Sequence, residues 1–487
     1  MSDVLNEIVR HKRKEVDSRK KRHSLPVFQN ELKKSTRSLY NNIYEKSANQ
    51  NQPAYILECK KASPSKGLIN EGFDIESIVG TYDEYASGIS VLTDSHFFQG
   101  AFEYIEQAKK ITNLPILCKD FFIDSYQVYE ARYFGADAIL LMLSVLDDET
   151  YIKLSKVARE FDLDILTEVH DELELNRALD LNASIIGINN RNLKDLSISL
   201  STTKLLAPKI ASKLKTAKRP LIISESGISC NQDVVKLSSI VDGFLVGSHL
   251  MASKNLKTAC QKLRYGNIKI CGLTQQKDIE DTKELGATFA GLIFYKKSPR
   301  YIEPSLAEDI IENIDLQFIG VFVNEKSENI INIANQLKLY AVQLHGNESD
   351  KDIIKLKQAL PNIEIWNAMP VNSDSTAESL AVKINQSPAD KILLDTQTDT
   401  FGESGYFGGT GIKFDWQIIE NLGPLLTKSK SLSNNIILAG GLSPENIIQA
   451  KRSTCFAFDV NSGVEKSPGI KSKEKIKLLF NKIATRN

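Results

Sequence analysis

Short apolar segments rich in isoleucine, leucine and valine recur along the chain between residues 54 and 460. Each is only a few residues long, and continuous apolar runs of that length are typical of strands buried on both faces of a parallel sheet. Eight strands are predicted in the first half of the chain: Ala54–Cys59, Ile89–Thr93, Ile116–Lys119, Ala138–Leu143, Asp164–Val169, Ile185–Asn189, Leu221–Ser224 and Gly243–Val246. Eight more are predicted in the second half: Ile268–Cys271, Ala290–Phe294, Phe318–Val323, Ala341–Leu344, Glu364–Ala368, Lys391–Asp395, Ile436–Ala439 and Ala457–Val460.

Most gaps between these strands can hold an amphipathic helix, most clearly at Glu149–Phe161 and Asp278–Leu285. Strands that alternate with helices indicate a parallel α/β fold, and eight strands in each half indicate that each sheet closes into a barrel. We therefore predict two tandem (β/α)8 TIM barrels, residues 1–262 and residues 267–487. Residues 1–45 are predicted to form a polar helical extension of the first barrel, because their apolar positions repeat near helical spacing.

The length and charge of the chain fit two such domains. Its 487 residues leave room for two barrels of about 250 residues, and its 61 basic residues are balanced by 61 acidic ones. A net charge of zero argues against a general nucleic-acid or anionic-membrane partner. The basic runs His11–Lys14 and Arg19–His23 leave a nucleic-acid contact open as the minor alternative, but acidic residues interleave with them, and a solvated helical face is favoured.

The six cysteines contain no CxxC pair, so reduced thiols are expected rather than a disulfide framework or a zinc site. No HxH or HExxH spacing suggests a metal, and no cofactor is expected. The first residues do not resemble a signal peptide, and the longest apolar run, Ala138–Leu143, is too short to span a membrane. We expect a cytoplasmic protein, monomeric, with small-molecule substrates.

The seventh strand of each half ends in glycine or serine, and a second such turn follows about 20 residues later. The four stretches are Ile222–Ile228, Val241–Ser248, Ile436–Leu442 and Phe456–Val464. In a barrel of this kind the loops after strands 7 and 8 form a phosphate site, where backbone N–H groups and a helix N-terminus meet the anion. Each half is therefore predicted to bind a phosphorylated small molecule.

Charged and polar residues gather at the predicted strand ends of the first half. They are Glu58, Lys60, Lys119, Glu168, Asn189, Arg191 and Glu225. Since carboxyl ends of the strands share one rim of the barrel, these groups should converge on one mouth. Lysines close together beside apolar walls should have lowered pKa values, so that one donates a proton and a glutamate accepts it. Singly each could be a surface ion pair, but the set favours an acid–base site.

The second half has fewer such groups. Cys271 and Asp395 end its first and sixth strands, and His345 follows its fourth. A lone cysteine is commonly a small core residue, yet a thiolate near basic groups titrates near neutrality and can pair with an acid across the mouth. For His345 a structural role is favoured over a direct catalytic one.

The first half closely resembles the indole-3-glycerol-phosphate synthases over about residues 1–260. The resemblance rests on Ile56–Gly67, Leu117–Phe121, Glu168–His170, Gly187–Arg191, Ser224–Ile228 and Val246–Ser248. It implies closure of an anthranilate-derived ribulose phosphate to an indole, with loss of CO2 and water. It also implies a general acid at Lys119, a general base at Glu168, and Lys60 at the substrate carboxylate, where it assists proton transfer. The residues that would orient or surround the substrate are Glu58, Phe121, Asn189, Arg191, Glu225 and Ser226, and those that would hold its phosphate are Ser63, Gly227, Gly247 and Ser248.

The second half resembles the phosphoribosylanthranilate isomerases over about residues 267–487. The stretches that carry the resemblance are Lys269–Thr274, Ser298–Arg300, Val342–Glu348 and Gly408–Gly411. It implies an Amadori rearrangement in which Asp395 protonates the ribose ring oxygen, Cys271 removes the C2 proton and Arg300 positions the anthranilate carboxylate. The residues that would bind phosphate are Gly409, Gly411, Gly440, Gly441, Ser462 and Gly463. The segment from Asp395 to Gly408 is longer than is usual in that family.

The isomerase product is the synthase substrate, so we predict a bifunctional enzyme of tryptophan biosynthesis whose C-terminal barrel acts first and releases the intermediate to solvent. Two alternatives remain open. A histidine-pathway isomerase would be expected to have a pair of aspartates where this chain has Cys271 and Asp395. An inert phosphate-binding sensor or scaffold would not need Lys119, Glu168, Cys271 and Asp395 together.

Overall fold

The computed structural model describes residues 4–192, 195–213, 219–396, 414–427 and 429–486. The chain divides near Cys260 into two compact units. Each contains a closed barrel of eight parallel strands, which confirms the predicted fold. Within the described ranges no helix combines the length and the apolar character needed to cross a membrane.

In the first barrel each strand pairs with the next along the chain, and the eighth closes onto the first. The strands are β1 (Ala54–Cys59), β2 (Gly88–Leu92), β3 (Ile116–Lys119), β4 (Ala138–Met142), β5 (Asp164–Val169), β6 (Ile185–Asn189), β7 (Leu221–Glu225) and β8 (Gly243–Val246). Their bounds agree with the predicted ones to within one residue. A short hairpin, Ala62–Ser63 with Gly67–Leu68, follows β1.

The helices around the first barrel are Ile75–Asp83, Ser95–Phe98, Glu103–Ile111, Ser125–Tyr133, Asp148–Glu160, Glu172–Asp180, Ser201–Lys213, Asn231–Leu237 and Ser248–Met251. The helix Leu256–Tyr265 contains the point at which the chain divides. Several begin at an aspartate whose side chain accepts a hydrogen bond from the first turn, as Asp74, Asp147 and Asp171 do. Such caps satisfy backbone N–H groups that have no partner within the helix, and so fix where each helix starts.

The N-terminal extension forms helices Val4–Arg22, Leu25–Phe28 and Leu39–Tyr44. Ile8 and Val16 are buried. Two residues of its basic runs turn inward: Lys12 is fully buried, and Arg19 pairs with Glu130 at 2.8 Å. The first helix is thus docked on the barrel by its charges as well as by its apolar face.

The second barrel has the same closed order. Its strands are β9 (Asn267–Ile270), β10 (Phe289–Ile293), β11 (Gln317–Phe322), β12 (Ala341–Leu344), β13 (Glu364–Val371), β14 (Lys391–Thr396), β15 (Ile436–Leu438) and β16 (Ala457–Val460). β13 runs three residues beyond its predicted end at Ala368. The strand includes Pro370, which has no N–H to donate, and stays paired as far as Val371 opposite Thr396.

The helices of this unit are Gln276–Leu285, Pro304–Ile311, Ser327–Gln336, Asp350–Ala359, Ala377–Gln386, Gln417–Leu422, Leu432–Asn435, Ile447–Lys451 and Lys473–Ile483. After β16 a hairpin of Glu465–Ser467 and Ile470–Lys471 brings Pro468 to the same cavity as the carboxyl ends of the strands.

Two candidate active sites at the carboxyl ends of the strands

Lys119 lies at the centre of a group of carboxylates at the mouth of the first barrel. Its Nζ atom is 2.7 Å from Glu225 Oε2, 3.8 Å from Glu58 Oε2 and 3.9 Å from Glu168 Oε2. These residues stand at the carboxyl ends of β1, β3, β5 and β7, so the barrel itself brings them together. Asn189, at the end of β6, donates to Glu168 Oε1 over 3.0 Å.

The charges around Lys119 correct one expectation. Burial alone would lower the pKa of this lysine, but Glu225, Glu58 and Glu168 outweigh burial and raise it. The predicted lowering is therefore wrong for Lys119, because its nearest charged neighbours are carboxylates rather than other lysines. Glu58 shows the reciprocal effect: burial opposes its charge, yet Lys60 and Lys119 hold its pKa below the ordinary value.

Glu225 is the carboxylate whose buried negative charge is not fully offset by nearby positive charge. Burial raises its pKa to about 7, although Lys119 acts in the opposite direction. Its Oε1 atom is buried and has no hydrogen-bond partner among the described residues. Gly187 on β6 leaves the space that this oxygen fills, since a Cβ there would collide with it. The site thus holds a group that changes protonation near neutral pH.

Replacing Glu225 by glutamine should stabilise the first barrel at alkaline pH. The folded chain holds the Glu225 proton more tightly than the unfolded chain, so this group's contribution to stability is lost as the pH rises from about 4.5 to about 7. Glu225→Gln removes that loss, with a gain at pH 8 on the order of 1–3 kcal/mol and little gain near pH 5. Thermal unfolding followed by circular dichroism measures it, with the exposed Glu149→Gln as control. Equal gains in stability at pH 5 and at pH 8 would contradict the raised pKa of Glu225.

A cavity of about 470 Å³ opens over these groups. Predicted site residues that line it are Glu58, Lys60, Lys119, Phe121, Glu168, Asn189, Arg191, Ser226, Gly227, Gly247 and Ser248. Ser226 and Gly227 both have positive φ angles, of 65° and 83°, a conformation that is uncommon for serine and marks a specialised turn. Ser248 begins a short helix. Ser63 lines a smaller neighbouring cavity, which it shares with Lys60 and Ser248, and Glu225 lies beneath the main one, against Lys119.

The second barrel has a corresponding cavity of about 330 Å³, and Cys271 and Asp395 both line it. Arg300, Gly440, Gly441 and Ser462 line it as well. Among the described residues Gly463 is not part of this lining; a Cβ at Gly463 would lie 2.9 Å from Ser443 Cα, so it serves close backbone packing. Gly409 and Gly411, and the long segment after Asp395, lie outside the described residues.

Beneath Cys271 a fully buried lysine holds three partners. Lys269 Nζ is 2.7 Å from Asp459 Oδ2, 2.8 Å from Gln343 Oε1 and 3.2 Å from Cys271 Sγ. Burial raises the pKa of the Cys271 thiol above its ordinary value, although Lys269 acts against this. The predicted titration near neutrality is therefore wrong for Cys271, because burial outweighs the positive charges of Lys269 and Lys471.

His345 joins this group to Asp395. Its Nε2 atom faces Asp395 Oδ2 at 3.3 Å, and its Nδ1 atom is 3.1 Å from Gln343 Nε2. On the other side of the mouth, Arg300 makes a two-pronged ion pair with Glu465 through Nε at 2.9 Å and Nη2 at 2.8 Å. Lys471 Nζ also binds Glu465, at 2.8 Å.

Sequence reasoning assigned no role to Lys269, Gln343, Asp459 or Glu465. A signal was available for two of them, because a lysine and an aspartate interrupt otherwise apolar strands, β9 and β16. Those strands are neighbours in the closed barrel, and Lys269 and Asp459 are directly opposite in register. Opposite charges at paired positions inside a barrel predict a buried ion pair. Gln343 likewise interrupts the apolar strand β12, but its partners in register are Val321 and Trp366 rather than a charged residue. Glu465 lies outside the barrel strands and gave no such signal.

Two family models cover nearly the whole chain. The model for indole-3-glycerol phosphate synthase matches residues 5–263, and that for N-(5′-phosphoribosyl)anthranilate isomerase matches residues 268–482. Three relatives named "Tryptophan biosynthesis protein TrpCF" align along almost their full lengths. The protein from Buchnera aphidicola subsp. Schizaphis graminum is 45% identical over 99% of both chains. That from Buchnera aphidicola subsp. Diuraphis noxia is 46% identical over 99% of this chain and 98% of its own. That from Haemophilus influenzae is 44% identical over 99% of this chain and 97% of its own.

Both family models and the full-length relatives therefore agree on the order of the two domains. The chain belongs to the family of bifunctional tryptophan-biosynthesis enzymes, in which a C-terminal barrel isomerises N-(5′-phosphoribosyl)anthranilate and an N-terminal barrel closes the product to indole-3-glycerol phosphate with loss of CO2 and water.

Proposed function

We propose that residues 1–262 carry ring closure, that residues 267–487 carry the isomerisation, and that each reaction uses only the acid–base groups at its own barrel mouth. The observation that carries this proposal is the position of Lys119 Nζ, 2.7 to 3.9 Å from three carboxylates. A charged lysine among carboxylates supplies both a proton donor and proton acceptors within one cavity.

In ring closure Lys119 donates the proton to the oxygen that departs as water, and Glu168 accepts the proton that leaves as the indole double bond forms. The hydrogen bond from Asn189 orients Glu168. Ser226, Gly227, Gly247 and Ser248 hold the phosphate of the substrate. Preorganised groups of this kind need no rearrangement as charge develops, which is why they lower the barrier.

In the isomerisation Asp395 protonates the ring oxygen of the ribose, and Cys271 then removes the C2 proton of the opened Schiff base. The Cys271 thiol must lose its own proton before it can act as this base, and Lys269, 3.2 Å from the sulfur, supplies the positive charge that favours the thiolate. Gly440, Gly441 and Ser462 bind the phosphate. Asp395 thus serves as the proton donor and Cys271 as the proton acceptor, and the two residues lie at the ends of different strands around one barrel mouth.

Both substrates carry the anthranilate carboxylate, and we assign its recognition to Lys60 in the first barrel and to Arg300 in the second. Glu465 engages Nε and Nη2 of Arg300 and leaves Nη1 outside that pair. This fixes the plane of the guanidinium. Lys60 is held beside Glu58 by one contact, between its Nζ atom and Glu58 Oε1.

Substitution of these two cations tests the proposal. Lys60→Met should raise the KM for ring closure about tenfold or more and leave the isomerisation unchanged, whereas Arg300→Met should do the reverse. A charge-assisted hydrogen bond contributes about 1.5–3 kcal/mol, and each chain carries its own control in its other reaction. Steady-state kinetics of both reactions on each variant measure the effect. An unchanged KM for the assigned reaction would remove that residue from carboxylate recognition.

A further inference from the structure

A continuous series of polar contacts connects Cys271 with Asp395 across the second barrel. It runs from the sulfur to Lys269, from Lys269 to Gln343, from Gln343 to His345 and from His345 to Asp395, with separations of 3.2, 2.8, 3.1 and 3.3 Å. Gln343 occupies its middle on strand β12 and is almost wholly buried.

The chemistry of the partners determines which way the Gln343 amide points. A lysine ammonium can only donate hydrogen bonds, so the atom of Gln343 that meets Lys269 must be the carbonyl oxygen. The amide nitrogen is then the atom that faces His345, and an amide nitrogen can only donate. Nδ1 of His345 must accept, so the proton of the neutral imidazole sits on Nε2.

The Nε2–H group is the one that faces Asp395. A histidine in the other tautomer would present a lone pair to the carboxylate and could not donate to it. The backbone supports this arrangement, because His345 N donates to Phe322 O over 2.8 Å and so holds the histidine at the end of β12. Gln343 therefore acts on Asp395 through His345. It acts on Cys271 through Lys269, which contacts both Gln343 and Cys271.

We propose that Gln343 is a positioning residue of the isomerisation, which fixes His345 as its Nε2–H tautomer and thereby holds a hydrogen-bond donor against Asp395. This inference rests on the proposed function of Asp395 and Cys271. Its role differs from theirs, because Gln343 neither gives nor takes a proton. It sets the geometry and hydrogen-bond pattern in which the acid and the base work.

Two substitutions at Gln343 should change the tautomer in predictable ways. Gln343→Glu keeps the size of the side chain but offers only acceptors, so it still binds Lys269 and should draw the proton of His345 to Nδ1. Gln343→Met removes both contacts and should leave a mixture of tautomers. We expect the isomerase kcat of Gln343→Glu to fall on the order of tenfold, less than the roughly hundredfold or greater loss expected when a general acid itself is removed. Ring closure should be unchanged in both variants.

The tautomer can be read in the full-length protein from the 15N resonances of its histidine side chains. His345 is the sole histidine among the six that follows residue 249 in the sequence, so His345→Asn identifies its signals by their loss. Gln336→Met, at an exposed position of the same barrel, is the matched control. If His345 stays Nε2–H in both Gln343 variants, or if the tautomer changes while the isomerase kcat does not, the proposal is overturned. An active Asp395→Asn chain would show that the proposed role of Asp395 is wrong. That outcome is distinguishable from a failure of the Gln343 proposal, because the histidine resonances report the tautomer whether or not the enzyme turns over.

Discussion

Replacing Lys119 by methionine is expected to abolish ring closure and to leave the isomerisation intact, whereas Cys271→Ala is expected to do the reverse. Lys119 is the cation that three carboxylates surround in the first cavity, and methionine keeps its length while removing its proton. Cys271 lies in the other cavity. Because general acid or base catalysis contributes about 10²–10⁴ in rate, each loss should be at least about a hundredfold in kcat.

Matched controls for this pair exist within the same barrels. Lys110→Met changes an exposed lysine on the helix Glu103–Ile111, and Cys455→Ala changes a buried cysteine that is not part of the cavity lining. Both should retain both activities. Loss of the two reactions together from Lys119→Met or Cys271→Ala, in a folded chain, would count against separate sites.

Lys12→Met is expected to destabilise the first barrel by about 3–5 kcal/mol, the usual consequence of breaking a buried ion pair by removing one partner. Lys12 reaches from the N-terminal helix to Asp94 Oδ2 at 2.7 Å, to Asp120 Oδ1 at 2.8 Å and to Glu15 Oε2 at 2.8 Å. Its side chain and those of both aspartates are almost completely shielded from water. The three carboxylates raise the pKa of Lys12 although burial opposes its charge. Without the lysine, the negative charges of the three carboxylates repel one another where little water is present to screen them.

Tryptophan fluorescence and circular dichroism together distinguish destabilisation of the first barrel from destabilisation of the second. Both tryptophans, Trp366 and Trp416, belong to the second barrel, so unfolding followed by tryptophan fluorescence should be unchanged, while the circular dichroism transition of the first barrel moves to lower denaturant. Lys14→Met, exposed on the same helix, should have little effect. Adding Asp94→Asn to Lys12→Met should recover part of the loss, since residues in one network are not additive. A wild-type midpoint for Lys12→Met would show that the cluster contributes nothing to stability.

Ring closure should also respond to Lys12→Met. Asp120 follows Lys119 directly, and its side chain accepts a hydrogen bond from Phe121 N over 2.8 Å. Phe121 lines the cavity. The cluster around Lys12 thus supports Lys119 and Phe121, two residues that line the cavity, which gives the N-terminal helix a role in shaping it.

The strands of both barrels could be predicted from the sequence because their signal is local. Runs such as Ala138–Met142 are buried on both faces, and they read as continuous apolar segments between polar turns. The closed order then places the carboxyl ends together, which is why Glu58, Lys119, Glu168 and Glu225 could be assigned to one mouth. The end of β13 was missed because the pairing of its last residues with β14 is a property of the folded sheet, which the local sequence pattern does not show.

The protonation states could not be predicted in the same way. Whether a lysine has a raised or a lowered pKa depends on how many carboxylates lie within a few ångströms, and that number is a property of the folded barrel. Lys119 and Cys271 both differ from expectation for this reason, the first through its neighbours and the second through its burial. Gln343 was missed for a related reason, because its importance lies in the two partners that it joins.

The most direct test of two complete and separate sites is to mix the Lys119→Met chain with the Cys271→Ala chain and supply N-(5′-phosphoribosyl)anthranilate. Neither chain alone should form indole-3-glycerol phosphate. The mixture should form it after a lag, because the isomerised intermediate leaves one chain and reaches the intact first barrel of the other. A mixture that stays inactive, although each chain retains its own single activity, would contradict release of the intermediate and the independence of the two mouths.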